Sequence, residues 1–367
     1  MKTIKTIFLL AFMTVVLNGC LGDLPVYHQE NVALIINQGN FSDKNGSISY
    51  YFEESGAVEN DLLKRANNNT DMGAIIQSME VTDSEMMYVV CNSVDKIEVF
   101  DVRSGKRMMN PYAGDDLSTP RYLTGDARYL YITNWGEGVD NGFGWEVYPD
   151  AYVLVLDRTN NWSTVRKIAC GSDAEEIRYL HNMNKLYVAT GEGVTVIDLP
   201  SYHVGLIETP VGLFGGAKSI VLSQGNLLWA SYPDDQKLVA INLLNNTVHN
   251  VYDMPLDWMG QIVSNSTGTK IYSYKTEFDA SYNPLWAAIY EFDVATGTYK
   301  EFFKGVAGSY FFGVGVSPYT GNVYTANVNN FISNSLLLVI DPFGVKIDEK
   351  TVGVGTCGMR FMSFLKQ

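Results

Sequence analysis

Apolar and polar positions alternate along most of the chain in short runs, and these runs recur as a repeated unit. Each unit starts with a strand, continues through a polar or glycine-bearing turn, and enters a second strand. Such alternation predicts β-strands rather than helices. One aromatic residue recurs at the same place in the second strand of six units: Tyr88, Tyr131, Tyr187, Trp229, Tyr272 and Tyr324.

A third strand follows each hairpin and ends in an acidic or amide residue before a turn. A short fourth strand then follows, as in TVRKIA or TYKEFF. Units of four strands at this period are typical of propeller blades. One carboxylate at the same turn of nearly every unit predicts capping of backbone amides rather than catalysis. The turn residues recur at spacings of about 41 to 56 residues: Asp101, Asp157, Asp198, Asn242, Asp293 and Asp341.

The two ends of the chain together supply a seventh unit. NVALIINQGN and SISYYFEESGAV resemble a second and a third strand, but no first strand precedes them. GMRFMSF, at residues 358 to 364, has the pattern of the missing strand and is expected to pair beside residues 31 to 37. Such closure hides strand edges that would otherwise be open to aggregation.

We therefore predict an all-β chain, a seven-bladed β-propeller over residues 28–367 that is closed by its C-terminal strand. A propeller of six or eight blades is the alternative, and the regular period disfavours a β-sandwich. Residues 61–73 are expected to form a helical turn and a polar surface loop.

The first residues differ from the rest of the chain. Lys2 and Lys5 precede the apolar run IFLLAFMTVVL, and Cys20 follows it. This pattern predicts a lipoprotein signal peptide at 1–19, lipidation of Cys20 and a linker at 20–27. The expected location is the outer membrane, on the cell surface or the periplasmic face. An uncleaved anchor or an ordinary signal peptide is the alternative.

Charge and composition narrow the classes of function. The formal net charge of −14 disfavours nucleic acid as a partner. The four histidines are scattered, and no cysteine or histidine cluster indicates a metal. These absences predict no cofactor, no metal, no catalytic residues and a protein that is not an enzyme.

One face of the propeller is expected to carry the site. Loops between second and third strands, and links from one blade to the next, share this face, which we call the loop face. Its loops are long at 37–47, 134–152, 274–288 and 327–335, and they are rich in aromatic and amide residues. Such loops suit a ligand surface, although the aromatic residues could instead pack among themselves. The aromatic candidates are Trp135, Phe143, Trp145, Tyr148, Phe278, Tyr282, Trp286 and Phe331.

The links between blades add polar candidates near the mouth of the axial channel. Their charged groups could orient a polar ligand or form salt bridges across the channel. These residues are Arg121, Glu175, Glu176, Lys218, Trp258, Tyr310 and Arg360.

A resemblance to a known family rests on the signal sequence, on NVALIINQGNF and NGSISYY, and on the C-terminal segments GVGVSPYTGNVYTANVNNF and GMRFMSF. Together these segments resemble the YncE-like seven-bladed propeller lipoproteins of gut Bacteroidetes. One similar branch comprises surface propellers that bind vitamin B12 and pass it to a TonB-dependent transporter. The resemblance implies a capture protein whose small-molecule or glycan ligand, cobalamin being one candidate, sits on the loop face. The alternatives are a scaffold for another protein and a metal-dependent lactonase-like or quinoprotein-like enzyme.

Overall fold

The computed structural model describes residues 28–82, 85–144, 146–328 and 330–366. The predicted signal peptide, Cys20 and the linker at 20–27 lie outside these residues, as does Trp145.

Seven antiparallel sheets form the blades of a β-propeller in the described part of the chain. Blade 1 contains β1 (His28–Asn37), β2 (Ser47–Phe52) and β3 (Ala57–Glu59). Blade 2 contains β4 (Ile76–Val81), β5 (Met86–Cys91) and β6 (Lys96–Asp101). Blade 3 contains β7 (Pro120–Gly125), β8 (Tyr129–Asn134), β11 (Ala151–Asp157) and β12 (Ser163–Gly171), and a small hairpin of β9 (Val139–Asp140) and β10 (Glu146–Val147) extends from it.

The remaining blades each have four strands. Blade 4 contains β13 (Ile177–Leu180), β14 (Lys185–Thr190), β15 (Gly193–Asp198) and β16 (His203–Glu208). Blade 5 contains β17 (Ile220–Ser223), β18 (Leu227–Tyr232), β19 (Lys237–Asn242) and β20 (Thr247–Asp253). Blade 6 contains β21 (Ile262–Ser264), β22 (Lys270–Phe278), β23 (Pro284–Asp293) and β24 (Thr298–Lys304). Blade 7 contains β25 (Phe311–Val316), β26 (Val323–Asn327), β27 (Asn334–Ile340) and β28 (Lys346–Val354).

The C-terminal strand closes the ring. β29 (Thr356–Lys366) pairs antiparallel with β1, with Leu34 opposite Arg360 and Ala33 opposite Phe361. It becomes the innermost strand of blade 1, in the order β29-β1-β2-β3. The predicted seven-bladed fold and its closure by the C-terminal strand are confirmed.

The recurring aromatic residues lie in the core between blades. Each sits on the second strand of its sheet, where both faces are covered by neighbouring blades, and is at most 5% exposed: Tyr88, Tyr131, Tyr187, Trp229, Tyr272 and Tyr324. Burial of such large side chains on every blade stabilises the contacts between adjacent blades.

The repeated acidic residues cap turns, as predicted. The carboxylate of Asp101 accepts a hydrogen bond from the Ser104 amide at 2.8 Å, and Asp157 accepts one from the Thr159 amide at 2.9 Å. Asp293 accepts from the amide of Thr296 at 2.9 Å. These carboxylates satisfy backbone donors that the reversal of the chain leaves without partners.

Blade 2 departs from the predicted four strands. Residues 107–112 follow β6 only through isolated bridges, Phe100 with Arg107 and Ile97 with Tyr112. Pro111 lies between these bridges and has no amide hydrogen to donate to a ladder, which interrupts the strand. The link that follows β3 contains one short helix, α1 (Leu62–Ala66), within the predicted helical turn.

The predicted long loop at 274–288 is wrong. β22 and β23 continue their pairing as far as Phe278 and Pro284, so only residues 279–283 form the turn. Aromatic residues such as Phe278 and Trp286 suit extended strands, and strand pairing prevailed over the loop composition.

Candidate functional site

A cavity of about 440 Å³ opens on the loop face at the end of the axial channel where the inner strands begin. We call this cavity the funnel. Side chains from most blades line it, because the first residues of the inner strands and the links before them converge on the axis. They include Gln38, Phe41, Gln77, Asn92, Arg121, Tyr122, Trp135, Tyr148, Glu176, Arg178, Ser219, Trp258, Gln261, Tyr274, Phe312, Cys357 and Arg360.

Arg121 is the most constrained charge in the funnel. Its Nε and Nη2 donate to the two carboxylate oxygens of Glu175 at 3.0 and 3.1 Å, and its Nη1 donates to Gln77 at 2.7 Å. Both charged side chains are 8% exposed. The Trp135 ring lies 3.9 Å from the guanidinium carbon. This set of contacts holds a positive charge in one orientation beside an aromatic wall.

Two aromatic groups form opposing parts of the rim. The rings of Trp135 and Tyr148 lie 4.5 Å apart, while Trp258 stacks on Phe312 at 6.4 Å with an interplanar angle of 27°. Trp258 is 63% exposed, so one face of its indole remains open to a ligand. The described part of the loop face therefore presents aromatic surfaces at the mouth of a polar cavity.

Glu176 lies deeper and is almost fully buried. Its carboxylate accepts hydrogen bonds from the hydroxyl of Ser219, from the Ile220 amide at 3.1 Å and from Arg178. Three donors satisfy a carboxylate that would otherwise be costly to bury.

Arg360 lies further from the mouth than the sequence predicted. Its Nε donates to Glu80 at 3.3 Å, and its Nη1 donates to the Met359 carbonyl at 3.1 Å. Burial lowers the pKa of the guanidinium, but the charges of Glu80 and Glu176 outweigh that effect and raise it. Arg360 is the fifth residue of β29. It therefore lies within the inner strand and not in the link before it, which places it inside the channel.

Asp257 precedes Trp258 and is buried behind the rim. Burial raises the pKa of its carboxyl to about 6, although the amide of Met259 donates to it at 3.3 Å. A carboxyl with this pKa exchanges its proton near neutral pH.

The structure brings six of the predicted candidate residues together in the funnel: Arg121, Trp135, Tyr148, Glu176, Trp258 and Arg360. Lys218 lies next to this group, with its Nζ 3.9 Å from Glu175. Trp145 lies outside the described residues.

Other predicted residues do not line the funnel. The Tyr310 ring packs on Phe278 at 5.2 Å and on Phe331 at 5.7 Å, so these three aromatic residues order the loops of blades 6 and 7. Trp286 lies under the ammonium group of Lys304 at 4.3 Å. Tyr282 and Phe143 are 87% and 86% exposed at the tips of their hairpins.

Sequence reasoning missed several residues that line the funnel. Arg178, Gln77 and Gln261 come from short inner strands or the residues beside them, and each is separated from the others by whole blades. Their shared position at the beginning of the inner strand of each unit was the available signal. The described residues contain no group of three or more His, Cys, Asp or Glu residues placed to hold a metal ion. No described helix has the length and hydropathy needed to span a membrane.

Proteins of known structure share this fold over nearly their whole length. A protein of Bacteroides fragilis NCTC 9343, described as a 6-phosphogluconolactonase, is 14% identical, with a TM-score of 0.63 and coverage of 91% of this chain and 98% of that chain. The periplasmic gluconolactonase PpgL of Pseudomonas aeruginosa is 15% identical, with a TM-score of 0.63 and coverage of 91% and 99%. A protein of unknown function from Desulfotomaculum acetoxidans is 12% identical, with a TM-score of 0.61 and coverage of 90% and 98%.

These structures overturn one prediction. The scattered histidines and the missing metal-binding motif predicted a protein that is not an enzyme, yet proteins described as gluconolactonases have the same architecture across almost their full length. That prediction is wrong, because the absence of an obvious catalytic motif from a propeller does not exclude hydrolysis.

Sequence comparison identifies the family. No curated protein matches the chain. The model of a domain family of unknown function, DUF5074, matches residues 31–351, which extend from β1 into β28. Since this match spans most of the chain, the protein belongs to the DUF5074 family.

Proposed function

We propose that the funnel binds a small hydroxylated carboxylic acid of the sugar-acid class, as the free acid or as its lactone. One observation carries the proposal: three arginines, each paired with a glutamate, converge beneath an aromatic rim. These pairs are Arg121 with Glu175, Arg178 with Glu176 and Arg360 with Glu80.

The charges of the funnel suit such a ligand. The chain as a whole has a formal net charge of −14, so arginines gathered on the axis contrast with its overall composition. Guanidinium groups pair with carboxylates in a fixed geometry, while carboxylates accept hydrogen bonds from hydroxyl groups. Alternating Arg and Glu side chains therefore match a molecule that carries one acidic group and several hydroxyls.

The rim and the size of the funnel support the same class. Sugar rings pack their C–H faces against aromatic side chains, and Trp258 offers an open indole face. A volume of about 440 Å³ falls within the range of roughly 300–1,000 Å³ common for small-molecule pockets. Proteins of the same fold are described as gluconolactonases, and a gluconolactone is the lactone of a sugar acid.

Hydrolysis of the lactone is the second candidate function. Opening a lactone requires a base that takes a proton from water as the water oxygen attacks the carbonyl carbon, and donors that stabilise the resulting oxyanion. The bond between the carbonyl carbon and the ring oxygen then breaks, and the base returns its proton to the departing ring oxygen, which becomes a hydroxyl group. Glu176 lines the funnel as a carboxylate, and Arg178 lies in contact with it. These two groups are the base and the oxyanion donor of this candidate reaction.

Calorimetric titration of the purified protein with gluconate and 6-phosphogluconate tests binding. Trp258→Ala should weaken binding about tenfold, because it removes an open stacking surface. Tyr282→Ala is the matched control, since it removes an exposed aromatic side chain that does not line the funnel. The proposal fails if folded wild-type protein binds neither acid nor the lactone.

The rate at which δ-gluconolactone opens tests the second candidate. Wild-type protein should accelerate opening above the spontaneous rate, and Glu176→Gln should abolish the acceleration while keeping a hydrogen-bonding side chain in place. An acceleration that survives in Glu176→Gln would remove Glu176 from the reaction.

The lipid anchor at Cys20 and the outer-membrane location remain predictions from the signal-sequence pattern, and the TonB-dependent transporter and cobalamin remain predictions from the sequence resemblance. A corrin would have to lie across the aromatic rim, because the funnel is sized for smaller molecules. Cyanocobalamin therefore belongs in the same titration, where loss of binding in both Trp135→Ala and Trp258→Ala would indicate a ligand on the rim.

A further inference from the structure

The axial channel contains a second cavity, of about 620 Å³, at the end opposite the funnel. We call this the lower cavity. Polar turns of blades 5 and 6 form one wall, including Gln224, Ser264 and Asn265. Arg178, Val263 and Arg360 line both cavities, so they mark the level at which the two meet. We call this level the waist.

Each arginine of the waist has one terminal nitrogen to spare. Arg178 uses its Nε on the Ile220 carbonyl and its Nη2 on Glu176. Arg360 uses its Nε on Glu80 and its Nη1 on the Met359 carbonyl. Arg178 Nη1 and Arg360 Nη2 have no hydrogen-bond partner among the residues that the structure describes.

The two carboxylates at the waist, Glu176 and Glu80, differ in how strongly they pair with the arginines. Glu176 divides its hydrogen bonds among Arg178, the Ser219 hydroxyl and the Ile220 amide. Glu80 makes one longer contact, 3.3 Å, with Arg360, and its side chain is 30% exposed. Glu80 is therefore the group whose charge competes most directly with an incoming anion for Arg360.

The strands explain why these two arginines meet. Arg178 is the second residue of β13 in blade 4, and Arg360 lies on β29, the inner strand of blade 1. Blades 1 and 4 are separated by two blades in one direction around the ring and by three in the other, so their inner strands face each other across the axis. Side chains as long as arginine can reach the centre from both sides.

We propose that the waist is an oxyanion subsite, in which Arg178 Nη1 and Arg360 Nη2 donate hydrogen bonds to a carboxylate or phosphate group. Guanidinium donors favour such groups because the hydrogen bonds are charge-assisted. The inference rests on the proposed function only for the identity of the ligand, whose acidic group would occupy the waist while its hydroxylated part lies in the funnel.

Inorganic phosphate is the probe, and its binding is followed by ³¹P NMR titration of the full folded chain. Arg178→Gln and Arg360→Gln should each weaken phosphate binding about tenfold, as expected for the loss of a charged hydrogen bond. Glu80→Gln should strengthen it, because the variant keeps the shape of the side chain and removes the competing charge. Arg166→Gln is the matched control, since it removes the same charge from the exposed outer strand β12.

The outcomes separate the two proposals. Phosphate affinities that are equal in the wild type, Arg178→Gln, Arg360→Gln and Glu80→Gln would overturn the subsite, even if gluconate binds. Phosphate binding with the expected signs, in a protein that binds neither gluconate, 6-phosphogluconate nor the lactone, would support the subsite and overturn the proposed function. A wild-type protein that binds no phosphate and no sugar acid would overturn both.

Stability of the variants does not obscure this test. If the arginine variants lose their cooperative melting transition, Glu80→Gln decides the matter, because it removes a partly exposed charge and predicts tighter rather than weaker binding. Unchanged or weaker phosphate binding in folded Glu80→Gln would then contradict the subsite.

Discussion

Leu34 and Arg360 are direct partners across the antiparallel pair of β1 and β29. Leu34 is fully buried in the core between blades 1 and 2, and Arg360 contacts Glu80 on the inner strand of blade 2. The strand that closes the ring therefore also supplies a charged group of the channel. Closure of the fold and assembly of the candidate site depend on the same register.

Deletion of residues 357–367 should abolish cooperative folding. The deletion exposes the hydrogen-bonding edge and apolar side chains of β1, and it opens the ring between blades 1 and 7. Thermal unfolding followed by circular dichroism measures the effect. Arg360→Ala should retain a cooperative transition, because it leaves the backbone pairing intact. A truncated protein that melts like the wild type would contradict the role of β29 in closure.

Glu175→Gln should destabilise the protein by roughly 3–5 kcal/mol, because it leaves the buried guanidinium of Arg121 without its counter-charge. Urea unfolding gives the change in the free energy of unfolding. Glu349→Gln is the matched control, since its partner Lys346 is exposed and such pairs contribute at most about 1 kcal/mol. Equal effects of the two substitutions would show that the Arg121–Glu175 pair is effectively solvated.

Tyr324→Phe should cost about 1.5–3 kcal/mol of unfolding free energy, the usual contribution of a hydrogen bond to a charged group. The Tyr324 hydroxyl donates to Glu53 at 2.6 Å and so joins blade 7 to blade 1. Ser317 and Thr320 donate to the same carboxylate, which limits the loss. Urea unfolding provides the measurement, and Glu53→Gln in the Tyr324→Phe background should then have a smaller effect than in the wild type.

Asp257 should make stability depend on pH in a particular direction. Its pKa in the folded protein, about 6, lies above the ordinary value of 3.8, so the folded state holds the proton more tightly than the unfolded state. Its contribution is therefore most favourable below about pH 4, and it falls as the pH rises to about 6. The expected loss is on the order of 3 kcal/mol.

Asp257→Asn provides the comparison, because an amide keeps the oxygen that accepts from Met259 but does not ionise. The variant should be more stable than the wild type at pH 7, and the difference should shrink as the pH falls to 4. Denaturant unfolding at several pH values measures it. A difference that does not vary between pH 4 and 7 would show that Asp257 titrates with an ordinary pKa.

The periodic features of the chain were the predictable ones. Alternating strands, the aromatic residue of each second strand and the capping carboxylates Asp101, Asp157 and Asp293 depend on interactions within one blade, so local pattern is sufficient to identify them. Repetition then specified the number of blades. The orphan GMRFMSF could be assigned because only one blade lacked an inner strand.

Local composition was a poorer guide where two interactions competed. The aromatic stretch around Phe278 and Trp286 was interpreted as a loop, but extended pairing of β22 with β23 prevailed. In blade 2, Pro111 removed a backbone donor and left the fourth strand as isolated bridges. The loop aromatics divided in the same way, since Trp135 and Trp258 reached the funnel whereas Tyr310 and Phe331 packed together.

The sequence by itself determined the architecture of this protein, because each blade encodes its own strands and turns and the ends of the chain complete one another. Only the tertiary structure decided the chemistry of the axis. Arg121, Arg178 and Arg360 belong to different blades, and no pairwise spacing along the chain relates them. They come together because ring closure brings the inner strands of distant blades to a common axis. There the neighbouring carboxylates, Glu175, Glu176 and Glu80, determine which guanidinium donors remain available to a ligand.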